Sequence, residues 1–245
     1  MIASLGDAEP PEDEVPLVFW RCSSGRPTSL RRRIQASSWE EVYGNYSADA
    51  QGQLHQLMTA TEGGPGGLIL WHGEPGTGKS HALRALAREW QPWCDAHVIT
   101  DADVFLGGNS SYLMDALLRD RDDRWRLIVL EDAGELLTAD ARALAGQGLS
   151  QLLNLTDGLL GAGMRASVIV TTNEPLGRLH PAVVRPGRAW AEVEFRALSG
   201  EEANAWLVER ECDVHVERAT TIAELYEIEA GRAPTARSLT VGFAA

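Results

Sequence analysis

The chain has 245 residues, 44% of them hydrophobic, and a formal net charge of −13. This composition supports a folded core, in one domain with a small appendage, and the acidic balance argues against a nucleic-acid clamp or binding to anionic membranes. The absence of a signal pattern, of a long apolar run and of any C-x-x-C pair among the three cysteines predicts a cytoplasmic protein without a disulfide framework or a zinc site.

In chain order, the first predicted segment is an acidic, proline-rich leader over residues 1–37, which we expect to be largely disordered. Its Arg31, Arg32 and Arg33 are interpreted as a solvated charge run. A globular α/β core is predicted over residues 38–197, and a small helical lid over residues 198–245.

Within the core, apolar strands alternate with amphipathic helices. Strands are predicted at residues 67–71, 96–100, 127–130, 167–170 and 191–195, and helices at 50–58, 80–90, 112–118 and from about 139 to 158. This alternation predicts a three-layer sandwich around a mostly parallel sheet with right-handed crossovers. In the lid, capping-box patterns at residues 199–202 and 221–224 predict two further helices.

A complete phosphate-loop pattern, G-x-x-x-x-G-K-S, follows the predicted strand 67–71. It reads Gly73-Glu74-Pro75-Gly76-Thr77-Gly78-Lys79-Ser80, and Lys79 is the single lysine of the chain. The backbone N–H groups of such a loop hold phosphates, a compact ammonium group reaches the β- and γ-phosphate oxygens, and the serine hydroxyl binds Mg²⁺. The pattern predicts a nucleoside triphosphate site, with the lid packed beside it.

Two adjacent carboxylates, Glu131 and Asp132, follow the predicted strand 127–130. That strand end lies at the edge of the sheet where parallel α/β folds bind ligands. Acidic groups there need a cation or a polar partner, so Mg²⁺ and an attacking water are the predicted occupants.

Four further motifs resemble, in order, those of an AAA ATPase of the AAA+ superfamily. They are residues 39–44, 152–158, 168–173 and 179–188. They resemble the family's segment that lies against the adenine, the helix before the sensor strand, the sensor-1 strand and the second region of homology. The resemblance covers roughly residues 38 to 230 of the chain.

The resemblance implies a role for individual residues. Tyr43 and Gly44 would lie against the adenine of ATP, and Asn173 would help to orient the attacking water. Arg185 and Arg188 would be arginine fingers that complete the site of a neighbouring subunit, an effect of about 10³–10⁵ in rate in related NTPases.

The chain departs from the family pattern in three places. The family order at the strand end is Asp then Glu, whereas this chain has Glu131 then Asp132. Alignment gives the metal to Glu131 and the water to Asp132, but the exchanged side-chain lengths leave both roles open and suggest slow turnover. Phe105 fits either a pore-loop aromatic group or a core residue, and Arg237 is the candidate for the sensor-2 arginine.

The resemblance and the motifs predict an ATPase that converts ATP and water to ADP and phosphate at the subunit interfaces of a homo-oligomeric ring, a hexamer. Hydrolysis would remodel a protein substrate, threaded past Phe105. Three alternatives stay open: a monomeric P-loop kinase acting on a small molecule, a DNA-linked AAA+ loader, and a nucleotide switch with little turnover.

Overall fold

The computed structural model describes residues 11, 13–64, 67–107, 110–118, 124–137, 152, 165–179 and 189–232. Its strands are β1 (Glu14–Ser23), β2 (Arg26–Gln35), β3 (Leu68–Gly73), β4 (Cys94–Ile99), β5 (Trp125–Leu130), β6 (Ala166–Thr172) and β7 (Ala189–Phe195). Its helices are α1 (Trp39–Val42), α2 (Ala48–Met58), α3 (Lys79–Trp90), α4 (Ala102–Leu106), α5 (Ser110–Leu118), α6 (Gly134–Leu137), α7 (Gly200–Glu209) and α8 (Ile222–Glu229), with 3₁₀ turns at Tyr43–Asn45 and Leu176–Arg178.

The strands form one sheet in the order β2-β1-β4-β5-β6-β3-β7. All neighbouring strands are parallel except β1 and β2. The five strands predicted for the core therefore lie in a mostly parallel sheet flanked by helices, as the alternating pattern predicted. In the described part of the chain, no helix is long and apolar enough to span a membrane.

Both faces of the central strands are buried. Alternate residues of a strand point to opposite faces, so Leu68 and Leu70 of β3 join the core on the α5 side, whereas Ile69 and Trp71 pack with α2 and α3. Strands buried on both faces need continuous apolar runs, which explains the sequence of β3, β5 and β6. This packing fixes the carboxyl ends of the three strands at one edge of the sheet.

The prediction of a largely disordered leader is wrong for residues 14–35, which form the antiparallel hairpin of β1 and β2. β1 also pairs in parallel with β4, so the hairpin extends the sheet. Ser24 and Gly25 both have positive φ, 52° and 75°, as a two-residue hairpin turn of type I′ requires. The acidic composition of the first residues masked the apolar run of β1, which buries Val15, Leu17 and Trp20.

The two lid helices begin at the predicted capping boxes. Ser199 and Thr221 each accept a hydrogen bond from the backbone N–H three residues later, and the glutamates at those positions accept from the cap N–H. The lid meets the core where the Ala223 N–H donates to the carbonyl of Gly76, 3.0 Å away. The lid is described as far as residue 232, so Arg237 lies outside the described residues.

A buried asparagine joins the lid to the segment before α2. Asn45 is 2% exposed, its Oδ1 accepts from the Trp206 indole N–H at 2.9 Å, and its Nδ2 donates to the Tyr226 hydroxyl at 3.0 Å. Trp206 lies in α7 and Tyr226 in α8. One side chain therefore fixes both lid helices against the core.

We expect Asn45→Ala to destabilise the protein by about 1–3 kcal/mol, because the buried Trp206 N–H loses its acceptor. Urea unfolding measures the change, with Gln56→Ala on the exposed face of α2 as the matched control. The control should differ from the native chain by less than about 0.5 kcal/mol. Equal unfolding midpoints for the two variants would contradict this role of Asn45.

Candidate nucleotide site

A cavity of about 350 Å³ lies between the phosphate loop, the carboxyl ends of β5 and β6, and the lid. Its lining comes from the loop and the start of α3 (Pro75, Gly76, Gly78, Lys79, Ser80, His81), from the strand ends (Glu131, Asp132, Thr171, Asn173) and from α8 (Ile222, Ala223, Tyr226). The structure thus brings the phosphate-loop residues together with Glu131, Asp132 and Asn173, as the sequence predicted.

The conformation of the loop depends on glycine at two positions. Gly73 has φ 139°, and a Cβ there would lie 1.9 Å from the Phe195 carbonyl oxygen of the neighbouring β7. Gly78, at the N-terminal end of α3, has φ 93°, with the Tyr46 ring 3.1 Å from the position of a Cβ. Side chains at either position would displace the backbone that has to approach phosphate.

The single lysine is held inside this loop. Lys79 is 8% exposed, and its Nζ donates to the carbonyls of Gly73 at 2.7 Å and Glu74 at 2.9 Å. Burial lowers the pKa of the Lys79 ammonium, while the nearby Asp132 and Glu74 carboxylates act in the opposite direction. The ammonium lies where it can exchange these carbonyls for phosphate oxygens.

The two adjacent carboxylates point to different partners. The Ser80 hydroxyl donates to Glu131 Oε1. Asn173 Nδ2 donates to Asp132 Oδ1 at 2.8 Å. Glu131 therefore lies on the side of the phosphate-loop serine, and Asp132 lies on the side of the sensor-strand asparagine.

Thr171 was not predicted from the sequence, yet it holds the turn between these carboxylates. The Asp132 N–H donates to Thr171 Oγ1 at 3.0 Å, and the Ala133 N–H donates to the Thr171 carbonyl at 3.1 Å. Asp132 has φ 55°, a left-handed conformation that is uncommon outside glycine. Thr171 is 1% exposed, and a hydroxyl inside a buried strand that ends at the site is the sequence signal that could have identified it.

The role predicted for Tyr43 and Gly44 beside the adenine stays a prediction. Tyr43 and Gly44 are not among the lining residues of the cavity in the described part of the chain; Tyr43 is 42% exposed, and Gly44 lies near Glu209 of α7. The neighbouring Tyr46 is buried instead, and its hydroxyl donates to the Gly78 carbonyl at 3.3 Å. Ile222 and Tyr226 of α8 supply the apolar and aromatic surface at the lid end of the cavity.

The pore-loop interpretation of Phe105 is wrong in this structure. Phe105 is 1% exposed and packs edge-on against Tyr112, with ring centroids 5.0 Å apart. Its side chain belongs to the core on the α5 side of the sheet. A side chain buried in this way is not available to grip a polypeptide.

Several predicted features lie outside the described residues. They are the two finger arginines, Arg185 and Arg188, most of the helix predicted at 139–158, and the candidate sensor-2 residue Arg237. Their predicted roles stay predictions.

The oxygen atoms at the site suit Mg²⁺. In triphosphate sites Mg²⁺ takes one or two protein oxygens, together with phosphate oxygens and waters, and the Ser80 hydroxyl with the Glu131 carboxylate supplies that set. Among the described residues, no group of three or more His, Cys, Asp or Glu side chains could hold a metal. A Mg²⁺ site completed by phosphate oxygens and waters does not need such a group.

Two family models match the sequence. The model of the ATPase family associated with various cellular activities (AAA) matches residues 69–197. A domain of unknown function (DUF5925) matches residues 3–59, a range that includes the β1–β2 hairpin.

Several curated proteins are similar to this chain. The ATPase family gene 2 protein of Saccharomyces cerevisiae is 34% identical over 153 residues, which are 58% of this chain and 19% of that protein. Protein SAV of Sulfolobus acidocaldarius is 32% identical over 136 residues, 52% of this chain and 17% of that protein. The 26S proteasome regulatory subunit 8 homolog of Schizosaccharomyces pombe is 28% identical over 143 residues, 54% of this chain and 34% of that protein.

The chain therefore matches less than two thirds of the length of each of these relatives. The AAA model covers the strands and the loop that form the cavity, from β3 to the end of β7. With that match and the geometry of the phosphate loop, the chain belongs to the AAA ATPase family.

Proposed function

We propose that this chain binds ATP with Mg²⁺ and hydrolyses it to ADP and phosphate. The observation that carries the proposal is the divergence of the adjacent carboxylates, which leaves Glu131 beside Ser80 and Asp132 beside Asn173. The two functions that hydrolysis needs, a metal site and a base for water, would then belong to separate side chains.

In the proposed reaction, Ser80 and Glu131 hold the metal side of the triphosphate, and the Lys79 ammonium binds the β- and γ-phosphate oxygens. Bound Mg²⁺ would neutralise charge on the phosphates. Asp132, oriented by Asn173, accepts a proton from water as the water oxygen bonds to the γ-phosphorus. The bond from the γ-phosphorus to the bridging oxygen breaks, and the electron pair leaves with ADP.

The exchanged carboxylates favour a second candidate function, a nucleotide switch with little turnover. An aspartate at the position of the base is one methylene shorter than the glutamate of the family pattern. The hydrogen bond from Asn173 also occupies one carboxylate oxygen of Asp132, which leaves that oxygen less able to accept a proton from water. ATP binding combined with very slow hydrolysis would favour the switch.

We propose further that the chain forms a homo-oligomeric ring, a hexamer, and that hydrolysis remodels a protein substrate. Arg185 and Arg188 of one copy would complete the site of the next. Support comes from membership of the AAA family and from a similar protein that is named as a subunit of the 26S proteasome. Because Phe105 is buried, contact with a substrate would have to use other residues.

The first test concerns ATP binding by the single lysine. We expect Lys79→Ala to weaken ATP binding about 10- to 100-fold, since a hydrogen bond to a charged group contributes roughly 1.5–3 kcal/mol. Arg84→Ala removes a positive charge from the exposed side of the same helix and should bind ATP like the native chain. Titration of a fluorescent ATP analogue measures both, and equal affinities would contradict the proposal.

The second test separates the two carboxylates. We expect Asp132→Asn to keep its affinity for ATP and Mg²⁺ and to lower kcat at least about 100-fold, the usual contribution of a general base. Glu131→Gln should instead raise the Mg²⁺ concentration needed for half-maximal activity. The reverse pattern, a metal defect in Asp132→Asn and normal metal dependence in Glu131→Gln, would exchange the two roles.

The third test concerns Thr171 as a positioning residue. We expect Thr171→Val to lower kcat about tenfold or more, with the Kd for ATP unchanged, because the Asp132 N–H loses its acceptor. Thr171→Ser keeps the hydroxyl and should restore turnover.

In an Asp132→Asn background, Thr171→Val should have little further effect on kcat, because it acts through that carboxylate. If Thr171 had a purely structural role, Thr171→Val would instead lower the unfolding midpoint. The decreases in kcat caused by Thr171→Val and Asp132→Asn would then multiply in the double variant. That result would contradict the positioning role.

A further inference from the structure

We propose that a cavity at the β7 edge of the sheet binds an arginine side chain from β2 of a second copy, so that copies join head to tail. The inference deepens the proposed function, because it rests on self-association of the chain. The cavity has a volume of about 240 Å³, and its polar lining includes Ser47, Asp49, His72, Glu192, Glu194 and Arg196.

The cavity has negative charge without a matching cation. Arg196 pairs with Asp49 at 2.8 Å, which neutralises one carboxylate. His72 Nε2 lies 3.9 Å from Glu192. Burial lowers the pKa of the His72 ring and so disfavours its charged form, while the Glu192 and Glu194 carboxylates act in the opposite direction. Glu194 has no ion pair among the described residues. Two glutamates therefore face the cavity uncompensated.

A buried hydroxyl at the same cavity has no hydrogen-bond partner among the residues that the structure describes. It is Oγ of Ser47, a residue that is 2% exposed. Ser47 occupies the N-cap position of α2, where a serine side chain commonly accepts from the helix backbone, yet that bond is absent here. A buried polar atom without a partner is unfavourable unless a ligand meets it.

The chemistry of these groups fits a guanidinium. A guanidinium carries five N–H donors in one plane and binds carboxylates in a bidentate manner, and a further N–H could donate to the Ser47 hydroxyl. A divalent cation fits this cavity less well. In the described ranges, no group of three or more His, Cys, Asp or Glu side chains could hold a metal ion.

The opposite edge of the same sheet supplies arginines. β2 contains Arg26, Arg31, Arg32 and Arg33, all exposed, and no acidic residue. Arg33 pairs with Glu14 at 3.1 Å. Arg31 and Arg32 make no ion pair within the part of the chain that the structure describes. A chain of net charge −13 thus carries four arginines on one edge strand.

The register places Arg31 and the two glutamates on one face of the sheet. Val18 of β1 and Leu70 of β3 belong to the same core cluster, so they point to the same face. Arg31 is the register partner of Val18, and Glu192 is that of Leu70. Copies placed side by side would therefore bring Arg31 of one towards Glu192 and Glu194 of the next.

Self-pairing of β2 is disfavoured, because it would set arginine against arginine. Contact between the β2 edge and the β7 edge is heterologous, and such contacts close into rings or extend into fibres.

A charge-exchange experiment tests the inference on the full chain. One variant reverses the β2 edge (Arg31→Glu with Arg32→Glu), and another reverses the β7 edge (Glu192→Arg with Glu194→Arg). With Mg²⁺ and ATP, we expect sedimentation velocity to show that each variant alone associates at least about tenfold more weakly than the native chain. An equimolar mixture should restore association, because each reversed edge then meets a complementary one.

A matched control reverses two exposed acidic residues of the lid, Asp213→Arg with Glu217→Arg, and should associate like the native chain. The neutral pair Glu192→Gln with Glu194→Gln, which changes the fold less, should show an intermediate loss. ATP binding should be unchanged in every variant, which shows that each one folds.

The possible failures are distinguishable. If the native chain associates and the reversed edges do not weaken it, or the mixture does not restore it, this inference is wrong and the proposed ring stands. If the native chain binds ATP but stays monomeric at every concentration, self-association and this inference both fail, and the nucleotide site is unaffected.

Discussion

The hydrogen bonds from the turn after β5 to Thr171 are the constraint on which the site depends. They hold Asp132 in a left-handed conformation at the end of β5, where its carboxylate accepts a hydrogen bond from Asn173. Consecutive residues of a strand already point to opposite sides, so the turn sets the direction of Asp132 beyond the strand end. With it, one carboxylate meets the Ser80 hydroxyl and the other meets Asn173. Although Asp and Glu are exchanged relative to the family pattern, this chain still has one carboxylate beside the phosphate-loop serine and one beside the sensor-strand asparagine.

The phosphate loop is fixed from the core and from the lid. On the core side, Gly73 lies against the backbone of β7, and the Tyr46 hydroxyl donates to the Gly78 carbonyl. On the lid side, the Ala223 N–H donates to the Gly76 carbonyl. Asn45 connects the lid to the segment that contains Tyr46. A movement of the lid would therefore change the contact of Tyr46 with the phosphate loop. This arrangement gives a physical route by which nucleotide could alter the position of the lid.

Much of the site was predictable because its signals are local. The phosphate loop, the carboxylates after β5 and the capping boxes each depend on residues close together in the chain, and the structure places them as predicted. The β1–β2 hairpin was not predicted, because the apolar residues of β1 directly follow an acidic, proline-rich segment. The composition of the two segments taken together is typical of disorder. The burial of Phe105 and the hydrogen bond from Tyr46 to Gly78 depend on contacts between distant segments. No spacing rule in one sequence reveals such contacts.

The most direct test of the account is a crystal structure with Mn²⁺ and a non-hydrolysable ATP analogue. Manganese takes the place of Mg²⁺ and is located by its anomalous scattering. The account predicts the metal beside the Ser80 hydroxyl on the side of Glu131, with Asp132 and Asn173 facing the γ-phosphate. A metal bound by Asp132, with Glu131 turned towards the γ-phosphate, would contradict it.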